Sequence, residues 1–254
     1  MTSLFEQCDF HIHSHLSGCA REEMRIPDIL RVCADRGLRH VGMTDHIFPS
    51  TDPAILRRTR EELVGIDCGI NVYLGCEADI VAVGSHTVSA EVAEAVDYVM
   101  VSSNHYQLPW VARPTGRSAE EVAGHFLEMF EYACSLDFAD VIAHPLCEVS
   151  GEFGLDCINT LSDTRLLGAL ELARTNRIAM EISPRALSNM HPDFRRRFYG
   201  LCREIGLKFA VGSDAHDLAG IGRTHALRGL IEELGVTDDE IWLPGRHCRA
   251  ESVS

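Results

Sequence analysis

Residues 8–13 read Cys8-Asp9-Phe10-His11-Ile12-His13, and their alternation decides how the rest of the chain is read. On an extended strand, side chains two positions apart share a face, so His11 and His13 project together near the C-terminal end of that strand. Two imidazoles side by side make half a metal site. An isolated His-x-His is more often a pair of ordinary surface or core histidines, so the weight falls on what the other strands end in.

Outward from this stretch, short apolar runs alternate with amphipathic ones up to about position 234, the pattern of repeated βα units. The runs predict seven strands, at 8–13, 40–44, 71–77, 98–102, 140–143, 178–182 and 208–212. Helical patterns lie between them. Residues 27–36 carry Ile29, Leu30 and Val32 at helical spacing, and 118–135 open on a Ser118-x-x-Glu121 capping box; 164–175, 193–205 and 218–234 read similarly. No Gly/Ser/Pro-rich linker divides the chain, so residues 1–254 are expected to form one domain. Such alternation allows an open doubly wound sheet or a closed barrel.

The strand ends select the barrel. The second predicted strand runs into Thr44-Asp45-His46, the third into Gly75-Cys76-Glu77 and the fourth into Ser103-Asn104-His105. The fifth runs into Ala143-His144-Pro145 and the seventh into Gly212-Ser213-Asp214-Ala215-His216. In a barrel of parallel strands all these ends lie on one rim, where barrel enzymes place their chemistry.

The ordered set DFHIH, TDH, GCE, SSNH, IAHP and GSDAH resembles the motifs of the polymerase and histidinol phosphatase (PHP) superfamily, over roughly residues 9–222. That resemblance implies a single distorted (β/α)7 TIM-like barrel of the α/β class. It also implies two or three divalent metal ions, Zn, Mn or Fe. Carried over position by position, His11, His13, Glu77 and Asp214 would hold one ion, Glu77 would bridge to a second held by His105 and His144, and His46 and His216 would serve a third. Water bound to the metals, held by Glu77, Asp214 and His216, would be the catalytic group. This chain departs from the pattern in the loop Ser14-His15-Leu16-Ser17-Gly18-Cys19, where Cys19 stands in place of the His of histidinol phosphatase-like members. A thiolate there would favour a softer metal, with His15 as a nearby substitute.

Other residues are assigned from position. Asp9 and Asp45 are expected to orient ligand imidazoles through hydrogen bonds. Arg185, first, and then Arg113, Arg117 and Arg223 fall in loops after barrel strands or at helix starts, where a guanidinium could clasp phosphate oxygens. Arg195-Arg196-Arg197 reads as a solvated helix face, and Glu181, closing the sixth strand, resembles a frequently acidic family position without being assigned as a ligand. His40, His86, His125, His191, His225 and His247 are read as surface or packing residues.

Bulk properties narrow the partners. Apolar content of 46% with 24% charged residues excludes a disordered chain. The opening MTSLFEQCDF lacks a basic segment followed by an apolar one, and no apolar run reaches the roughly 18 residues of a membrane span, so a cytoplasmic protein without membrane association is expected. A formal charge of −15 disfavours long nucleic acid as a partner. A small phosphate ester stays compatible, because bound cations dominate their own pocket. Cys33, Cys76, Cys134 and Cys202 sit singly in apolar stretches and read as small buried thiols, and no Cys-x-x-Cys pair occurs. Nothing in the sequence fixes an oligomeric state.

The expected function is therefore a metal-dependent phosphomonoesterase of the histidinol phosphatase-like kind, attacking with metal-activated hydroxide. A phosphodiesterase or cyclic-phosphate hydrolase would use the same ligands, and a metal-stabilised binding module without chemistry is the reading from another class.

Overall fold

The structure, a computed structural model, describes residues 3–64, 66 and 69–245. Among the described residues nine strands form, in chain order: β1 (Cys8–Ile12), β2 (His40–Met43), β3 (His46–Ile47), β4 (Asn71–Ala82), β5 (Ser85–His86), β6 (Tyr98–Ser102), β7 (Val141–Ala143), β8 (Ala179–Ile182) and β9 (Phe209–Val211). Seven of them, in the order β1-β2-β4-β6-β7-β8-β9, pair in parallel. The ring is nearly closed. Ile12 bridges Ala215 beyond β9, with His13 N donating to Ala215 O at 3.0 Å and Ala215 N to His11 O at 3.2 Å. The expected (β/α)7 barrel is thus the observed one, and its seven strands fall within a residue or so of their predicted places apart from β4. That strand runs past Glu77 to Ala82, with β3 paired parallel and β5 antiparallel to its extension.

The helices are α1 (Ile26–Asp35), α2 (Ala54–Leu63), α3 (Ala90–Ala95), α4 (Ala119–Cys134), α5 (Asp163–Asn176), α6 (Pro184–Ser188), α7 (Pro192–Glu204) and α8 (Arg228–Leu234). Helix α1 buries Ile26, Ile29, Leu30 and Cys33, one stripe at three- and four-residue spacing; each of the three aliphatic side chains contributes about 1.5–3 kcal/mol by leaving water. Helix α4 starts where Ser118 and Glu121 cap each other reciprocally. The helix expected over 218–234 is instead a loop, a 3-10 turn at Arg223–Leu227 and the short α8, because Gly222 takes a left-handed φ of 63° that ends any helical run through it. Arg195 and Arg197, read as solvated, are half-buried and donate to the carbonyls of Ala186, Leu187, Leu161 and Asn159; only Arg196 stays on the surface. Cys33, Cys76, Cys134 and Cys202 are fully buried, as expected.

Below the rim, an aromatic floor fills the barrel. Tyr98 lies across Gly42 and Gly75, whose absent side chains make room for its ring; a Cβ on Gly75 would sit 2.5 Å from Tyr98 Cζ. Tyr98 Oη donates to Phe10 O at 2.6 Å, and Trp242 packs edge-on against both Phe10 and Tyr98 with ring centroids 5.3 Å apart. The register of β1 against β2 slips between Asp9 and Ile12. This bulge changes the phase of the strand, so Phe10 joins the floor while His11 and His13 still point into the rim.

Candidate metal centre

Six imidazoles and four carboxylates meet at the C-terminal rim. Glu77 lies at their middle, fully buried, with its two oxygens facing different groups. Oε2 is 3.2 Å from His11 Nε2, 3.4 Å from His13 Nε2 and 3.2 Å from His46 Nδ1. Oε1 is 3.1 Å from His144 Nε2 and 3.7 Å from His105 Nε2. Asp214 Oδ1 completes the first side, 3.3 Å from His13 Nε2 and 3.5 Å from His11 Nε2. Three sets of potential ligand atoms lie within 4.8 Å of one another: His11, His13 and Asp214; Glu77, His105 and His144; and His13, Cys19, His46 and His216. All nine residues read from the sequence as ligands are therefore brought together. His15 turns away, toward Glu62 on α2 at 3.7 Å.

Four of the six rings are tied down on their far side. His11 Nδ1 donates to Glu181 Oε1 at 2.7 Å, His105 Nδ1 to Asp79 Oδ1 at 2.7 Å, and His144 Nδ1 to Asn104 Oδ1 at 2.9 Å. His216 Nδ1 donates to Asp214 O at 2.9 Å. An imidazole that donates through Nδ1 presents a lone pair at Nε2, so these partners fix the tautomer a metal ligand needs. Gly212 makes the first of these contacts possible: a Cβ there would meet Glu181 Oε1 and lie 2.5 Å from His11 Cβ. His144 and Asp214 hold φ of 29° and 55°, a left-handed backbone that costs a non-glycine residue about 1–3 kcal/mol and that here turns both side chains inward.

Charge balance also calls for cations. Glu77, Asp79, Glu181 and Asp214 are all almost wholly buried, against one guanidinium among the described residues, Arg185, which pairs with Asp214 Oδ2. Burial opposes ionisation of Glu77, yet His11, His46 and His105 outweigh it and hold the carboxyl well below its ordinary range. Burial likewise opposes the charge on Asp214, which His11, His13 and Arg185 overcome. Burial works against a proton on His11, but Glu181, Glu77 and Asp214 hold its pKa well above the usual value. Burial dominates at His13 and His46, pushing them down to about 4 and about 3, so both rings are neutral. His13 Nε2 and His46 Nδ1 are buried without a hydrogen bond. Orphaned ring nitrogens, excess buried carboxylate and a nitrogen/oxygen donor set together fit divalent cations. At Cys19, burial pushes the thiol up to about 11, and its Sγ donates to Ser17 Oγ at 3.3 Å.

Several assigned residues lie elsewhere. Asp9 and Asp45 touch no imidazole. Asp9 accepts from the backbone N–H of Ser213 and Gly222, each at 2.8 Å, because the bulge in β1 turns it away from the rim. Asp45 accepts from Ser14 N and Oγ, each at 2.6 Å, and so fixes the loop that follows β1. Arg113 pairs with Glu152 and, with Arg117, lines a surface groove with Phe153 and Asp156 that includes none of the clustered ligands. Arg223 lines a cavity with Glu6, Arg36 and Gly37, residues that precede β1 and β2, and hence lies at the opposite end of the barrel. Arg185 alone of the four arginines stands at the centre. The orienting residues Asp79 and Asn104 were not anticipated, although Asp79 stands two positions after Glu77 on one strand and so shares its face.

A PHP domain family model matches residues 9–184. A protein of Syntrophotalea carbinolica named "Probable phosphatase" is 27% identical over 249 residues, covering 95% of this chain and 93% of its own length. A structure from Listeria monocytogenes assigned as a histidinol phosphatase superposes with a TM-score of 0.67 at 12% identity, covering 86% of this chain and 98% of that one. Histidinol phosphate phosphatase from Lactococcus lactis, solved with zinc, L-histidinol and phosphate, superposes with a TM-score of 0.65 at 17% identity, covering 91% and 94%. At these identities the two structures establish the shared fold. No described helix is long and apolar enough to cross a membrane.

Proposed function

This chain belongs to the PHP domain family, and from that premise we propose that it is a metal-dependent phosphomonoesterase acting on a small phosphorylated metabolite. The observation that carries the reading is Glu77, one buried carboxylate whose two oxygens face two separate sets of imidazoles. We assign His11, His13, Asp214 and Glu77 to one divalent ion, and Glu77, His105 and His144 to a second.

Divalent cations at such sites lower the pKa of bound water toward neutrality and draw charge from phosphoryl oxygens. The chain's own residues supply the rest. Asp79, Asn104 and Glu181 hold three rings in the required tautomer. Glu77, Asp214 and His216 flank the place assigned to the attacking water. Arg185, whose side chain is 38% exposed, reaches from the start of α6 to Asp214, and with Asp214 engaged by a cation its guanidinium would be free to hold a phosphate oxygen. Asp214 is thereby the residue through which ion binding and phosphate binding are coupled.

A histidinol phosphate-like amino alcohol ester or a nucleotide is the proposed substrate class; the Lactococcus relative holds L-histidinol and phosphate at the same fold. The test is phosphate release by purified protein loaded with Zn2+, Mn2+ or Fe2+ on a panel of monoesters, beside a chromogenic diester. Turnover of monoesters in preference to the diester is expected. Preference for the diester would replace the monoesterase reading with a phosphodiesterase, and metal uptake without hydrolysis of either would end both.

A further inference from the structure

The loop between β6 and α4 carries Trp110, a half-buried side chain to which the chemistry above gives no part. Its indole Nε1 donates to Asp79 Oδ2 at 3.1 Å, while the other oxygen of that carboxylate accepts from His105 Nδ1 at 2.7 Å. Asp79 thus bridges an indole and an imidazole whose Nε2 lies 3.7 Å from Glu77 Oε1. An indole donates and never accepts, so it holds Asp79 Oδ2 as an acceptor and fixes the plane of the carboxylate. Resting on the reading of this rim as a metal centre, we infer that Trp110 is a positioning residue of that centre: its N–H locks Asp79, and through Asp79 it aims the His105 ring at the ion.

The surroundings are built to keep this relay in place. The extension of β4 past Glu77 carries Asp79, and its backbone is fastened on both sides: Asp79 N donates to Thr87 Oγ1 and Thr87 N to Asp79 O, each at 3.0 Å. The same extension docks the loop, since Ala112 N donates to Val81 O at 2.7 Å two residues beyond Trp110. On the other side of Trp110, Leu108 N donates to His105 O at 2.9 Å, so the segment from ligand to indole is folded back on itself. Phe48, which follows β3, completes a bracket: its ring centroid lies 5.1 Å from that of Trp110 and 4.4 Å from that of His46, stacked on the imidazole at 21°. One aromatic pair therefore braces two of the clustered imidazoles, His46 by stacking and His105 by way of Asp79. Without the indole N–H, Asp79 Oδ2 would lose a charge-assisted bond in a buried place, and the carboxylate could turn and take His105 with it.

The test is a double-mutant cycle on the whole chain, stripped with a chelator and titrated with Zn2+ against a chromogenic competitor. Trp110→Phe should weaken Zn2+ binding by about tenfold, the lower end of what losing an orienting partner costs. Because the indole acts through Asp79, adding Trp110→Phe to Asp79→Asn should bring no further loss. Benzothienylalanine at position 110, which keeps the shape of the indole and puts sulfur in place of the N–H, should reproduce the loss and so separates the hydrogen bond from packing. The sequence holds two tryptophans, so the indole N–H of Trp110 is identified in a nitrogen-15 spectrum as the signal that Trp110→Phe removes. That signal should shift when Zn2+ is added, and the shift should vanish in Asp79→Asn. Full Zn2+ affinity in the benzothienyl protein, losses that multiply in the double variant, or an indole signal indifferent to Zn2+ would each overturn the role of Trp110. None of these readouts needs turnover, so a wild type that binds Zn2+ and releases no phosphate would sink the esterase alone. A wild type that takes up no Zn2+ would end both.

Discussion

Gly212→Ala is the smallest change that reaches the centre without removing a ligand. The added Cβ would lie 2.5 Å from His11 Cβ and would also meet Glu181 Oε1. Carbon atoms pack best at about 3.5–4.0 Å, so the methyl falls short of a normal contact by about 1 Å and something must move. Both neighbours are fully buried, and His11 is held between Glu181 on one side and Glu77 on the other, so neither has free space to yield. Overpacking of this kind costs about 1–3 kcal/mol, or roughly 2–12 °C in melting temperature for a chain of this size. Displacing Glu181 from His11 should also weaken metal binding by about 10–100-fold, the usual effect of losing an orienting partner. The assays are thermal melts of stripped protein and competition against a chromogenic chelator. Gly168→Ala is the control, because a methyl there meets nothing within 4 Å on an exposed helical surface, and it should stabilise by up to about 1 kcal/mol. If Gly212→Ala melts and binds metal like the wild type, the packing of Glu181 against His11 does not support the centre and the reasoning fails.

Glu77→Gln should lower phosphate release by at least about 10²–10³-fold and reduce bound metal, read by elemental analysis, because it removes the charge shared by two sets of imidazoles. Asp79→Asn should weaken metal affinity by about 10–100-fold, with the loss traced to the pair that includes His105; an unchanged affinity would show that Asp79 does not orient that ring. Chelation should lower the melting temperature by roughly 5–11 °C relative to protein in metal at a hundred times its dissociation constant, a loss of about 2.7 kcal/mol. Arg185→Ala should raise KM for phosphate monoesters, whereas Arg223→Ala should leave kinetics untouched; equal effects would refute the placement of Arg185.

The barrel and the side chains that cluster at its rim were legible because both obey short-range rules. Each of the seven barrel strands is a short apolar run, and most end in His, Glu or Asp, so a parallel closed sheet carries them to one rim without further information. Three things escaped the sequence for physical reasons. The bulge in β1 rephases the strand, so Asp9, expected to orient an imidazole, instead holds the backbone of Ser213 and Gly222. Loop direction is not written in residue types: the chain beyond His216 descends to the far end of the barrel and takes Arg223 with it, while Arg113 is drawn outward to Glu152. Asp79 was overlooked because the third strand was ended at Glu77, although the run Ala78-Asp79-Ile80 continues it and puts a second carboxylate on the inner face.

The ring of Tyr98, wedged over two glycines and met edge-on by Phe10 and Trp242, has a bearing on traffic. It stoppers the cylinder at one end, so there is no rear exit. Whatever enters must depart by the doorway it came through, and liberated phosphate has to clear that doorway before another ester can be admitted. Free phosphate and substrate therefore contend for the same vestibule, and slowing of the cycle by its own product is built into the shape of the molecule.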